Sequence, residues 1–358
     1  MINLPSGIYN ETYIQDMAVV RTKMRWGLLI TGLVLGLTLP VWLPAIPVLG
    51  TVVAPVYLIN LIGIYIIALF GLQIMMGYAG QISMGHAAFM AVGAYTSGLV
   101  SNELGFPFWV ALPSAALITG IVGVIFGFSS LRLRGFYLVV STLAAQIIII
   151  WVLLWQSDIT GGDTGLVVDS PRIGSFVFDT QSKYYFIIFF CLILGTYLMS
   201  NMMRTKIGRA LIAVRDNDLA ANVLGIRPST TKLLAFFIGC SYAGVAGSLW
   251  AHWMGSINPA QFHLWLSIWF IGYIIIGGVG SISGCYFGVI LIMVLNNVLS
   301  EVSIAIDVVA PQITFFLLYG RDLLFGVIIV LVLIFEPRGL AHRWEIVRAY
   351  FRLWPFKE

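Results

Sequence analysis

Residues 48–101 read VLGTVVAPVYLINLIGIYIIALFGLQIMMGYAGQISMGHAAFMAVGAYTSGLVS. The run is nearly continuous apolar sequence, interrupted only at Gly77-Tyr78-Ala79-Gly80. A bilayer core is crossed by about 20 apolar residues in helical form, so the run is long enough for two crossings joined at that glycine turn. Taking it as one crossing, or its second half as re-entrant, reverses the side on which every later segment lies. The basic residues decide the matter. With two crossings and the N-terminus inside, Arg21, Lys23 and Arg25 share a side with Arg132 and Arg134, with the six basic residues from Arg204 to Lys232, and with the five from Arg338 onward. That is sixteen of the nineteen Lys and Arg; only Arg172, Lys183 and Arg321 fall outside. Because the Lys and Arg bias sets orientation, the run is two spans.

Extended along the chain, the same criterion gives ten spans: 26–44, 54–76, 81–101, 107–130, 135–156, 183–203, 231–255, 263–279, 284–300 and 316–335. Tryptophans mark many ends, Trp26 and Trp42, Trp109, Trp155 and Trp253 among them, where an amphipathic ring meets the headgroups. Composition excludes the soluble alternative. The 358 residues are 60% hydrophobic and 9% charged, against about 25% charged in a soluble domain, and mean hydropathy is +0.98. The fold class expected is an all-α integral membrane protein of about ten transmembrane helices, N-in/C-in. It divides into a cytoplasmic N-terminal segment (1–25), a transmembrane domain (26–336) and a cytoplasmic tail (337–358). The first 20 residues contain Glu11 and Asp16 and no apolar h-region, so they do not read as a cleavable signal peptide.

Cys191, Cys240 and Cys285 all lie in apolar stretches; they read as small buried hydrophobes, and three is the wrong number for a disulfide framework. Gly280, Gly284 and Gly288 fall four apart, as do Gly123 and Gly127, rows that let membrane helices approach closely. Gly77, Gly80, Ile82 and Ser83 recur 200 positions later as Gly277, Gly280, Ile282 and Ser283, a hint of internal duplication. No enzyme signature is present. There is no phosphate loop of the G-x-x-x-x-G-K-[ST] form, and His86, His252, His263 and His342 lack metal-ligand spacing. No catalytic residue, metal ligand or nucleic-acid-binding feature is expected.

The most informative polar segment is 204–232, RTKIGRALIAVRDNDLAANVLGIRPSTTK. Gly208–Leu224 is helix-compatible, Asp216 or Asp218 can cap a second short helix, and Gly225 with Pro228 stops it. One or two short helices on the cytoplasmic face follow. A lipid-facing helix favours uniformly basic charge; Arg215-Asp216-Asn217-Asp218 is mixed, and Ala220 and Ala221 are flanked by Leu219, Val223 and Leu224. That combination suits a protein groove.

At this loop the chain resembles the coupling segment of ABC-importer permeases of the LivM type, from branched-chain amino-acid uptake systems. The string Gly77-Tyr-Ala-Gly-Gln-Ile-Ser-Met-Gly-His-Ala-Ala-Phe89 with Gly93-Ala-Tyr95 resembles the same family, as do Arg132-Leu-Arg-Gly135, Thr160-Gly-Gly162, Gly277-Gly-Val-Gly280 and Pro337-Arg-Gly-Leu340. The matches run in family order from about residue 60 to 340. The resemblance implies an ABC importer permease fold in a bacterial or archaeal cytoplasmic membrane. It implies a second homologous permease subunit, two cytoplasmic ATP-binding subunits that carry the ATP and Mg, and an extracytoplasmic substrate-binding protein. This chain itself would bind no cofactor. Carried over by position, Gly208, Arg209, Ala210, Arg215, Asp218, Ala220, Ala221, Leu224 and Gly225 would form the ATPase contact.

Polar groups inside spans face a bundle interior or a cavity, so Asn60, Gln81, Ser83 and His86 are candidates to line a pathway, or else to bond between helices. Gln146, Asn296 and Asn297 face the same choice. His86 could relay protons, but an ATP-driven importer needs no relay, and a neutral hydrogen-bonded histidine is the better reading. The outer loop 157–182 is the longest extracytoplasmic segment; Asp158, Thr160, Gly161, Gly162 and Asp163 are candidates for docking the binding protein, although solvation alone explains exposed acids. The cargo expected is a branched-chain or other apolar amino acid, with urea, short amides or small aromatic acids as alternatives. An ion-coupled secondary transporter is disfavoured by charge-poor spans, and a channel by the lack of a charged ring or carbonyl filter.

Overall fold

The computed structural model describes residues 23–42, 55–133, 135–173, 176–307, 323 and 325–353. Helices dominate. They are α1 (Lys23–Trp42), α2 (Val56–Leu72), α3 (His86–Asn102), α4 (Phe108–Gly127) and α5 (Phe136–Trp155). After a longer loop come α6 (Gln181–Arg204), the short α7 (Lys206–Asp216) and α8 (Asp218–Val223), then α9 (Pro228–Met254). The chain closes with α10 (Leu264–Gly277), α11 (Ile282–Asp307), α12 (Phe325–Phe335) and, bent from it by 45°, α13 (Leu340–Leu353). Pro55 and Pro107 precede α2 and α4, and Pro228 opens α9. Proline suits a helix start because its fixed φ is already helical and its missing N–H would be unsatisfied there anyway.

Helix α9 is the axis of the bundle. It has 27 residues, about 40 Å at the α-helical rise, and packs on α4, α3 and α2. Its small residues permit this. Gly239 faces Gly71, Gly244 faces Gly93 and Gly247 faces the backbone of Met90, each too closely for a methyl group. Gly123 and Gly127 of α4 meet Cys240 and Phe236 in the same way, and Gly284 and Gly288 of α11 meet the backbone of α10 at Gly277 and Tyr273. The glycine rows are packing surfaces, as the spacing predicts; Gly280 instead belongs to a turn, at φ +81°. Around this seam Phe70, Phe89, Phe236 and Phe270 are fully buried. Cys240 and Cys285 are buried and Cys191 half-buried, all three as free thiols.

On the opposite side from α7 and α8, two short ladders order the loops. Leu166–Val167 (β1) pairs with Ser256–Ile257 (β4), and Arg172–Ile173 (β2) with Phe176–Val177 (β3), both antiparallel.

Several expected boundaries need correction. The span expected at 81–101 begins as helix only at His86, because α2 runs on as a π-helical turn, Gln73–Tyr78, and residues 79–85 are not helical. Gln81 and Ser83 therefore precede the helix rather than lie in it. The span expected at 284–300 is the longer Ile282–Asp307. Among the described residues seven helices are long and apolar enough to cross a membrane, or eight if the bent α12–α13 pair is one span. Of the ten expected, α3 has 17 residues, the apolar part of α1 is Leu29–Val41, and 316–335 lies outside the described residues up to Leu323. Residues 43–44 of the first span, Arg134, most of segment 1–25 and the end of the 337–358 tail are likewise outside them.

Candidate functional site

Between α6 and α9 the chain leaves the bundle, makes two short helices and returns. Thr205 caps α7, its side chain accepting from the N–H of Ile207 at 3.2 Å. Gly208 lies against the backbone of Met203, which allows the sharp reversal out of α6. The second cap is Asn217, not Asp216 or Asp218. Its Oδ1 accepts from the N–H groups of Leu219 and Ala220 at 2.9 and 3.1 Å, leaving Asp218 in the first turn, where a carboxylate suits the helix dipole. Gly225, at φ +82°, terminates α8 as its sequence position predicts.

This segment is clamped from within. Lys232 on α9 pairs with Asp218 at 2.7 Å, and both side chains are mostly buried. Arg215, at the end of α7, donates through Nη1 to the carbonyl of Gly77 at 2.9 Å and through Nε to Asp216 at 3.0 Å. Its aliphatic part packs on Gly80, and Nη1 lies beside Gly280. The two halves of the sequence repeat thus meet at Arg215. Gly80 and Gly280 share a left-handed conformation, at φ +68° and +81°. Gln73 Nε2 ties the first turn to the second by donating to the carbonyls of Gly278 at 3.1 Å and Ser281 at 2.8 Å. Sequence reasoning missed Gln73 and Lys232; the lone amide in an otherwise apolar stretch was the available signal for the first. Under the segment lies a cleft of about 350 Å³ bounded by Gly80, Gln81, Ser130, Leu138 and residues 214–219.

The outward face differs in character. Leu219, Val223 and Leu224 are 73%, 87% and 78% exposed, which is unusual for aliphatic side chains on a polar segment. Arg209, Ala220 and Gly225 share this accessibility, Ala210 and Asp218 are half-buried, and Gly208 and Ala221 are buried against the chain itself. The structure therefore divides the nine coupling candidates into an exposed set and a supporting set.

The four intramembrane candidates do not form one site. Asn60 donates to the carbonyl and Oε1 of Gln181 at 2.9 and 3.1 Å. His86 Nε2 lies 2.8 Å from the carbonyl of Ala68 and so carries the proton as donor. Ser83 Oγ accepts from Gly85 N–H. Gln81 is 2% exposed, and neither amide atom has a hydrogen-bond partner among the described residues. The free N–H groups at the start of α3 are satisfied from distant helices: Ala87 by Ser267 Oγ and Ala88 by Gln146 Oε1, both at 2.9 Å. Gln146 also donates to the carbonyl of Phe262 at 2.7 Å, so it joins helices rather than facing a cavity.

In the loop between α5 and α6 Asp158 and Asp163 are exposed, while Thr160 is buried and donates to the carbonyls of Leu153 and Gln156. Gly161 and Gly162 have positive φ, so the loop candidates form one compact turn. It is anchored where Asn258 Nδ2 donates to the carbonyl of Asp163 at 2.6 Å. Nearby, Lys183 pairs with Asp179 at 2.7 Å and holds that carboxyl below the ordinary carboxylate range. Among the described residues no group of three His, Cys, Asp or Glu could hold a metal ion.

Residues 54–333 match the family described as branched-chain amino acid transport system / permease component. The chain is 32% identical over 276 residues to the high-affinity branched-chain amino acid transport system permease protein LivM of Salmonella typhimurium, covering 70% of this chain and 61% of that protein. The Escherichia coli protein of the same description is 31% identical over the same shares. A probable branched-chain amino acid transport permease protein LivM of Methanocaldococcus jannaschii is 26% identical over 66% of this chain and 69% of its own. The chain thus spans about three fifths of the length of the two bacterial relatives. No solved structure gives a significant match.

Proposed function

Because this chain belongs to the branched-chain amino acid transport system permease-component family, we propose that it is a transmembrane subunit of an ATP-binding-cassette importer. It is a multi-pass membrane protein. In the proposed reading it works in the cytoplasmic membrane of a bacterium or archaeon. It pairs with a second homologous permease and engages two cytoplasmic ATPases that hold the ATP and Mg. It receives cargo from an extracytoplasmic binding protein, docked near Asp158 and Asp163. The chain performs no catalysis of its own. The cargo is a branched-chain or other apolar amino acid; the relatives' descriptions name branched-chain amino acids.

The observation that carries this reading is the two-faced segment α7–α8. Its exposed Leu219, Val223 and Leu224 offer a small apolar knob of the kind that docks in a protein groove. Its inner face is tied to α9 through Lys232 and to the end of α2 through Arg215. A push on the knob by a closing ATPase therefore reaches the transmembrane helices through polar contacts, not through a loose loop. Ten crossings with both termini inside complete the reading, α1, α3 and 316–335 supplying those beyond the seven. It is tested by changing Leu224 to Arg. The variant is expected to insert normally, lose co-purifying ATPase and lose uptake; retention of both would remove the assignment.

A further inference from the structure

Helices α2, α10 and α11 enclose a second cleft of about 350 Å³ on the side of the bundle away from α4, within the range of small-molecule sites. Three helical stripes line it. From α2 come Tyr57, Leu61 and Tyr65; from α10, Leu266, Trp269 and Tyr273; from α11, Met293, Asn296 and Ser300. The spacings are those of single helix faces. The cleft thus runs along the outer half of α2, from the end next to the loops down to Tyr273, whose ring stands 6.4 Å from that of Tyr65.

Its chemistry is mixed but uncharged. No Asp, Glu, Lys or Arg lines it among the described residues. His263, at its outer rim, accepts from the N–H of Leu266 through Nδ1 at 3.2 Å, which leaves Nε2 as the ring's donor. An amide, hydroxyl and indole stripe is costly against hydrocarbon, because polar groups lose water there, even though Ser300 Oγ donates to the carbonyl of Asn296 at 2.9 Å and Tyr273 Oη to Met293 Sδ at 3.4 Å. The opposite face of α11 shows what lipid exposure selects here: Leu291 and Val302, both exposed. The cleft also lies between α2 and α10, the helices that lead into the two repeated glycine turns, and transporter sites commonly lie where internal repeats meet.

We propose that this cleft is the outer part of the translocation path, a transit site for a small solute of zero net charge with an apolar body. The aromatic rings receive the apolar part. Amides, hydroxyls and water meet the ammonium and carboxylate of a zwitterion. With no countercharge among its described lining residues, the site is weak, as passage requires, and disfavours solutes with a net charge. This inference rests on the importer reading above and adds to it where in the chain the cargo passes.

The test uses the whole transporter in proteoliposomes, with its binding protein outside and the three native cysteines replaced by alanine. In that background Asn296→Cys and, as a control, Leu291→Cys are exposed to a small uncharged methanethiosulfonate reagent added from the binding-protein side, with and without nucleotide. Expected are rapid modification of Asn296→Cys, slowed by saturating leucine-loaded binding protein, and at least a tenfold loss of uptake. Leu291→Cys is expected to stay unmodified and active. If Asn296→Cys transports leucine yet stays unreactive in both nucleotide states, or reacts without loss of uptake, the path lies elsewhere and the importer reading stands. If the unmodified transporter moves another solute, and labelling at Asn296→Cys blocks it, the cleft assignment holds and the amino-acid assignment falls.

Discussion

Arg215 concentrates more of this protein's logic than any other residue. A guanidinium presents several donors in a fixed fork, and here the fork reaches a backbone carbonyl at Gly77 and a carboxylate at Asp216 together. Lysine keeps the charge but has one compact ammonium. Both Arg215→Ala and Arg215→Lys are therefore expected to lower uptake about tenfold or more, a loss of roughly 1.4 kcal/mol in coupling, with membrane abundance unchanged. Full uptake by the lysine variant would show that charge alone matters. The glycines it rests against are constrained differently. A methyl on Gly77 would stand 2.7 Å from the backbone nitrogen of Gly280 and must push the two turns apart, whereas one on Gly32 of α1 meets nothing within 4 Å. Gly77→Ala should melt earlier in detergent than the parent. Gly32→Ala should not, since alanine is the better helix former; equal melting of the two variants would mean the turns are not in contact.

At the scale of elements, α8 is held to the bundle by a pair that is largely out of water. Breaking a pair held out of water is destabilising, because the remaining charge loses its partner's attraction. Lys232→Met should therefore loosen α7–α8, seen as faster amide exchange across residues 206–224, and adding Asp218→Asn should restore most of the protection. Protection unchanged in the single variant would mean that other contacts hold the segment. The segment also shows what a sequence makes legible. Its short helices and its Gly225 stop are readable because they depend on neighbours in the chain; Pro228, expected to help end α8, instead opens α9, three residues before the span expected from 231. The choice of Asn217 as cap was not, since three consecutive residues could each have served and the path of the backbone selected one. The start of α3 was misplaced by five residues for a stronger version of the same reason. Met84, Ala87 and Ala88 are satisfied by Thr142, Ser267 and Gln146 respectively, partners 58 to 180 positions away that no local pattern reveals. Hydropathy located the helices, and tertiary hydrogen bonds decided where this one begins.

At the scale of the whole molecule the orientation hangs on α3. Its 17 residues extend about 25 Å, short of a hydrocarbon core of about 30 Å. The non-helical stretch before it must make up the difference, which irregular backbone does within a membrane only when protein encloses it. That condition is met: Gln81 N–H bonds the carbonyl of Met75 at 2.8 Å, Met84 N–H bonds Thr142, and Gln81, Ser83 and Gly85 are buried. If α3 crosses, the acidic outer turn and the coupling segment lie on opposite sides, the latter inside. If it does not, every later segment changes side. Two single-cysteine variants in a background without native cysteines separate these arrangements. Asp163→Cys should be labelled in intact cells by a membrane-impermeant maleimide, and Leu224→Cys only after the membrane is permeabilised. The reverse pattern would place α8 outside, beyond the reach of any cytoplasmic ATPase, and the importer mechanism would fall with the topology.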